Sequence, residues 1–141
     1  MLGGFDYYDD KGLGRLADLA VAAIDRYQPD KIISGMARGW ETGVALAALR
    51  TSVPLIAIIL FKGLERLWSP KQQTIFYETL AKAHEVIILS KEPASYLVMQ
   101  QKNEFMVMWC DMLLALWNGS LGDTYNIILY AQVQKKPVIN L

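Results

Sequence analysis

The sequence has little of what metal sites and disulfides need, since its 141 residues include one cysteine and one histidine. Cys110 has no second cysteine to pair with, and its apolar context, MWCDMLL, favours a buried thiol in a reducing compartment. His84 stands alone before EVIILS, and one histidine with one cysteine cannot assemble a metal cluster. We therefore expect neither a metal nor another cofactor.

An excess of charge is also missing, because Lys and Arg total 14 and Asp and Glu total 14. Duplex-binding proteins usually carry a basic excess, so a nucleic acid is not expected as the main partner. The longest apolar run, VPLIAIILF at residues 53–61, has the length of a strand and not of a membrane span. The first residues, MLGGFDYYDD, do not resemble a signal peptide, so we expect a cytoplasmic protein with no membrane partner.

Helical and strand patterns alternate along a chain that is 53% hydrophobic, and no linker interrupts them. Apolar runs that are typical of buried strands occur at residues 31–34, 53–61, 85–90, 112–117 and 137–141. Helical patterns occur at residues 13–27, 40–50, 70–83, 95–109 and 124–134. The alternation predicts one α/β domain spanning residues 1–141, with a Rossmann-like, doubly wound, mostly parallel sheet of about five strands and helices on both faces.

Two of the loops that follow strands are rich in small residues. The first contains Ser34, Gly35 and Gly39, and the second is NGSLGDTYN at residues 118–126. Because parallel strands end at the same sheet edge, both loops and the helix N-termini after them should meet at one crevice. With Arg38 available as a cation, this pair predicts a site for a phosphate and a sugar, which a nucleotide combines.

These loops and their surroundings resemble the SLOG superfamily, the Rossmann-like group that contains the Smf/DprA and LOG proteins. The segments that carry the resemblance are DKIISGMARGWETGVALAAL, KNEFMVMWCDMLLALWNGSLGDTYNIILYA and KKPVINL. The branch most similar is the DUF1273, or YpsA-like, group, with SGMA and WDGS-GGT-N segments. LGGFD and FKGLERLW also look like that branch, so the similarity covers nearly the whole chain.

The resemblance implies a domain that binds nucleotides or their derivatives between the two loops. Carried onto this chain, the resemblance places ligand-binding residues in the first loop, in the second loop and on the helix that faces the crevice. We add Trp68, which could stack on a base. The expected residues are Ser34, Gly35, Met36, Arg38, Gly39, Glu41, Trp68, Lys102, Asn103, Gly119, Ser120, Gly122, Asp123, Thr124 and Asn126.

Two departures from the family pattern bear on these expectations. Relatives begin with a strand ending in TGHRP before the segment that matches LGGFD, whereas this chain starts at Met1. Either the chain is trimmed at its start, or the sheet is rearranged and completed by a partner subunit. We expect a homo-oligomer, because the absence of that strand leaves apolar surface to be covered. LOG-type phosphoribohydrolases carry a functional glutamate in PGGxGTxxE, and here Asn126 stands near that position.

The leading hypothesis is a domain that senses or sequesters a nucleotide-derived small molecule, and not an enzyme. The alternative is a hydrolase that cleaves the N-glycosidic bond of nucleoside monophosphates, with Glu41 or Asp123 as the catalytic acid. A second alternative is single-stranded DNA binding, against which the neutral charge argues. Glu41 and Trp68 also have plain structural explanations, since an acid is favoured in the first turn of a helix and a tryptophan suits an apolar lid.

Overall fold

The computed structural model describes residues 10–91, 96–119 and 121–141, in which helices and strands alternate. The helices are α1 (Asp10–Tyr27), α2 (Trp40–Arg50), α3 (Pro70–Lys82), α4 (Tyr96–Trp109) and α5 (Asp123–Val133). The strands are β1 (Ile32–Ser34), β2 (Leu55–Ile59), β3 (Glu85–Ile88), β4 (Leu113–Ala115) and β5 (Val138–Asn140). The mixed α/β class with parallel strands is confirmed, in the order that the sequence pattern predicts.

Local sequence accounts for where these elements begin. The Ser69 hydroxyl accepts a hydrogen bond from the backbone N–H of Gln72, and the Gln72 side chain accepts one from the N–H of Ser69. This capping box, with Pro70 at the first helical position, fixes the start of α3. In α2, a run of alanines permits close packing on the sheet, and Ala45, Ala47 and Ala48 are fully buried.

All observed strand pairs are parallel. Strand β2 lies between β1 and β3, with Ile33 opposite Ile56 and Ile58 opposite Ile87. Strands β4 and β5 form a second pair, in which Leu114 lies opposite Ile139. The five strands therefore form a three-stranded and a two-stranded sheet, and not one continuous hydrogen-bonded sheet.

Helices cover both faces of the three-stranded sheet. Alternate residues of β2 supply the two cores, because successive side chains of a strand point to opposite faces. Leu55, Ala57 and Ile59 pack with α1, α2 and α3, whereas Ile56 and Ile58 pack with Met106 of α4. A separate cluster joins Val107 of α4 to β4 and α5.

Strand β3 differs from the sequence expectation of a strand buried on both faces. Val86 and Ile88 are 41% and 52% exposed, although their run, EVII, is as apolar as that of a central strand. The reason is position, since β3 is the edge strand of its sheet and pairs only with β2 among the described residues. The opposite face of β3 is covered, where Ile87 packs beside Ile58 and Met106.

Within the described part of the chain, no helix has the length and apolar character needed to cross a membrane.

Candidate functional site

The loop after β1 is held by its own polar atoms. The Ser34 hydroxyl donates to the carbonyl oxygen of Glu41 over 2.7 Å and accepts from the backbone N–H of Met36 at 3.2 Å. Met36 and Gly39 adopt positive φ values of 58° and 92°, which turn the chain sharply before α2. Side-chain hydrogen bonds therefore fix this turn, and the Met36 side chain is fully buried in the core and not turned to the crevice.

Glu41, in the first turn of α2, folds back onto the same loop. Its Oε2 accepts the backbone N–H of Ala37 at 3.0 Å and lies 3.6 Å from Nζ of Lys102. Gly35 lies against both groups, because a Cβ there would come within 2.9 Å of Lys102 Nζ and 2.8 Å of Glu41 Oε1. The carboxylate thus occupies part of the position where the sequence predicts an anion-binding loop.

Helix α4 contributes two adjacent polar residues, both almost fully buried. Lys102 is 4% exposed and pairs with Glu41, while Asn103 is 1% exposed and reaches α5. The Asn103 side-chain amide donates to Oδ1 of Asp123 over 2.8 Å. The other Asn103 polar atom, Oδ1, is buried and has no hydrogen-bond partner among the described residues.

The loop after β4 is open where the first loop is packed. Gly119 and Gly122 have φ values of 92° and 148°, and a Cβ at either position would meet no atom of residues 10–91, 96–119 and 121–141 within 4 Å. Gly122 is the N-cap of α5, and no side chain of the described residues caps this helix, which begins with Asp123 and Thr124. Asn126 is a half-buried residue of its first turn, and Ser120 lies outside the described residues.

A cavity of about 520 Å³ separates β1 from β4. At the carboxyl ends of these strands it is lined by Ser34, Glu41, Asp123 and Thr124. From there it extends past both strands to Tyr27 and Cys110. The cavity therefore runs along the full length of both strands, and these four predicted ligand residues lie at one of its ends.

Arg38 and Trp68 lie apart from this cavity. The Arg38 guanidinium stands 5.5 Å above the Trp68 ring, and Trp68 packs edge-to-face on Phe76 at 5.3 Å between ring centroids. Both line a smaller depression with Leu13 and Gln72. Trp68 therefore has a cation and an aromatic ring as partners, and its side chain packs against the core formed by α1, α2 and α3. This position agrees with the apolar lid, the structural explanation of Trp68 given above.

The residues that the structure brings together are Ser34, Gly35, Glu41, Lys102, Asn103 and Asp123. Their chemistry favours a ligand that donates hydrogen bonds, because two carboxylates and an amide oxygen are acceptors and Lys102 is the single cation among them. Sugar hydroxyls and exocyclic amines of bases are such donors. Among the described residues, no group of three His, Cys, Asp or Glu could hold a metal ion.

All six positions are among the ligand residues predicted from the sequence, but the contacts that link them were not predicted. The contact of Ala37 N–H with Glu41 and the indole N–H of Trp40, which donates to the Leu114 carbonyl at 3.3 Å, were not anticipated. A backbone N–H carries no sequence signal. The sequence is equally compatible with Trp40 as an ordinary core residue.

Comparison with models of known protein families gives no match for this chain, and no curated protein matches it.

Proposed function

We propose that this protein binds a nucleotide or a nucleotide-derived small molecule at the carboxyl ends of β1 and β4, as a sensing or sequestering domain of SLOG type. The observation that carries the proposal is Oδ1 of Asn103, which is buried beside Asp123 and has no hydrogen-bond partner in the described part of the chain. An unpaired buried acceptor costs about 1–3 kcal/mol, and a ligand donor that reached it would remove that cost.

The ligand's sugar fits the acceptor-rich part of the site best. Glu41 and Asp123 line the cavity from α2 and α5, and hydroxyl groups of a ribose could donate to both carboxylates. A phosphate next to two carboxylates would be repelled. We therefore assign the phosphate to the backbone of the loop at Gly119 and Gly122, which leave open space, and the Asp123 carboxylate, which accepts from Asn103, to the sugar.

Native mass spectrometry of the freshly purified protein is the first test, followed by calorimetric titration with adenosine and guanosine mono- and diphosphates. Asp123→Asn should weaken binding at least about tenfold, because it removes the charge that accepts a sugar hydroxyl. Asp25→Asn, an exposed acid on α1, is the matched control and should leave affinity unchanged. A protein that is empty as purified and binds none of these nucleotides at millimolar concentration would contradict the proposal.

A second candidate is hydrolysis of the N-glycosidic bond of nucleoside monophosphates. It is favoured by one observation, that two carboxylates, Glu41 and Asp123, line the same cavity. Incubation with nucleoside monophosphates should then release free base, and Glu41→Gln or Asp123→Asn should abolish the release. Binding without release of base would leave the binding function alone.

We also infer a cytoplasmic homo-oligomer, for which the exposed apolar side chains of edge strand β3 provide a surface. Sedimentation velocity at micromolar concentration tests this inference. A charged substitution, Ile88→Lys, should shift the protein towards monomer, whereas a wild-type protein that is already monomeric would rule the assembly out.

A further inference from the structure

The first loop is closed around a carboxylate that belongs to the protein itself. Oε2 of Glu41 accepts the backbone N–H of Ala37 at 3.0 Å and lies 3.6 Å from Nζ of Lys102. Its Oε1 lies beside Gly35, at 2.8 Å from the position that a Cβ of this glycine would take. The carboxylate is therefore seated between a backbone donor, an ammonium group and a glycine that leaves it room.

These three groups are the ones with which a loop holds a bound oxyanion. Phosphate-binding loops combine backbone N–H groups before a helix, a cation and glycines that permit close approach. Lys102 brings the cation from α4, a distant part of the chain, and it is only 4% exposed. An ammonium group in such surroundings needs an anion beside it, and among the described residues Glu41 is the acid that pairs with it.

The backbone around Glu41 is fixed so that its side chain returns to the loop. The Ser34 hydroxyl donates to the Glu41 carbonyl oxygen, and the Thr42 hydroxyl donates to the Ala37 carbonyl oxygen, each over 2.7 Å. An acid in the first turn of a helix interacts equally well with the helix dipole when it points to solvent. The Glu41 side chain is only 18% exposed, so the helix dipole does not account for its inward position.

We propose that Glu41 is an internal anion, whose carboxylate takes the oxyanion position of the first loop and excludes a phosphate from it. For the identity of the ligand, this inference rests on the proposed function. A phosphate beside β1 would meet a carboxylate whose cation and backbone donor are already used. The ligand therefore carries phosphate only at the loop of Gly119 and Gly122 and turns an uncharged sugar to Glu41. Nucleoside 5′-phosphates belong to this class, and 3′,5′-bisphosphates do not.

Inorganic phosphate tests the anion position without any nucleotide. Glu41→Ala removes the carboxylate from Lys102 and from the Ala37 N–H. Phosphate in place of chloride, at equal ionic strength and neutral pH, should then raise the melting temperature of this variant at least about 5 °C more than that of the wild type. The double variant Glu41→Ala/Lys102→Met, which also lacks the cation, should show no such gain. Asp18→Ala, which removes an exposed acid paired with Arg50, controls for the general effect of phosphate on stability.

Amide signals in NMR spectra locate the bound phosphate. Titration of Glu41→Ala should shift the Ala37 signal to saturation, whereas in the wild type this signal should stay in place. Signals of Gly119 and Gly122 report the second loop separately. Glu41→Gln is the second variant, because it keeps an acceptor for the Ala37 N–H and removes only the charge. Phosphate should stabilise it more than the wild type, by a smaller shift than Glu41→Ala.

Three results of these phosphate experiments would overturn the proposal. The first is the absence of any added stabilisation by phosphate in both single variants. The second is an equal gain in the double variant, because the buried cation would then not hold the phosphate. The third is a saturable shift of the Ala37 signal in the wild type, because phosphate would then enter the loop beside Glu41.

Nucleotides test the consequence for the ligand. In calorimetric titrations the wild type should bind adenosine or guanosine 5′-monophosphate at least about tenfold more tightly than the corresponding 3′,5′-bisphosphate, and Glu41→Ala should lose this preference. Equal affinities in the wild type would overturn the inference about the ligand. A wild type that binds no nucleotide, together with stabilisation of Glu41→Ala by phosphate, would contradict the proposed function and support the internal anion.

Discussion

Nζ of Lys102 on α4 lies 3.6 Å from Oε2 of Glu41 on α2, and the lysine side chain is only 5% exposed. The pair joins the two helices across the carboxyl end of β1, and removal of either member leaves the other charge poorly compensated. We expect Glu41→Gln and Lys102→Met each to destabilise the fold, and the double variant to be less destabilised than the sum, with a coupling energy of about 1–3 kcal/mol.

Urea unfolding of the four proteins in this cycle measures the coupling. The exposed pair of Asp18 and Arg50 is the control, since its atoms are closer, at 2.7 Å, but both side chains are more than half exposed. The control cycle should give a coupling below about 1 kcal/mol. A larger coupling for the exposed pair would mean that burial does not govern these interactions.

Gly35 is expected to tolerate no side chain. An added Cβ would lie 2.8 Å from Oε1 of Glu41 and 2.9 Å from Nζ of Lys102, both of which are held by their own contacts. Gly35→Ala should therefore reduce the free energy of unfolding by about 1–3 kcal/mol. Gly14→Ala, in α1 with open space around it, should raise it by about 0.5–1 kcal/mol, and a loss there would contradict the reasoning.

Cys110 is expected to be a slow thiol at neutral pH. Burial raises the pKa of its thiol above the ordinary value, and the neighbouring Lys136 offsets only part of that effect. Less Cys110 thiolate is present at a given pH, so iodoacetamide should alkylate Cys110 more slowly than it alkylates glutathione. The rate of Cys110 alkylation should keep rising above pH 9. A rate that reaches its plateau below that pH would contradict the raised pKa.

The same pKa shift makes stability depend on alkaline pH. Because the folded protein retains the thiol proton longer than the unfolded chain, this contribution is present below the ordinary thiol pKa. It is lost as the pH rises from that value through the folded-state pKa. Urea unfolding between pH 7 and 10 should therefore show a steeper loss for the wild type than for Cys110→Ser.

The capping box at the start of α3 should be measurable by itself. Ser69→Ala removes the acceptor for the Gln72 N–H and should cost about 1 kcal/mol, whereas Ser69→Gly should cost only a few tenths. Thermal unfolding monitored by circular dichroism distinguishes the two variants. An unchanged stability of Ser69→Ala would show that the hydroxyl does not stabilise the start of α3.

The resemblance to SLOG proteins and the residues themselves led to the same part of the molecule. The loop patterns predicted that Ser34 and Asp123 would lie near each other, and in the structure both line the end of one cavity. Lys102 and Asn103 were expected there only from the resemblance, because a lysine and an asparagine in a helix usually indicate a solvated face. Their burial accompanies the packing of α4 on α5 and the ion pair of Lys102 with Glu41 of α2.

What the sequence determined by itself is local. The positions of the helices, strands and loops could be predicted from apolar periodicity, from the Ser69–Pro70 signal and from the glycines after β1 and β4. These positions depend on hydrogen bonds and backbone conformation within a few residues. Only the tertiary structure decided that one face of β3 is exposed, that Met36 is buried and that β1 and β4 stand apart. Those features depend on which surfaces meet across the molecule, and an apolar run specifies a strand without specifying its neighbours.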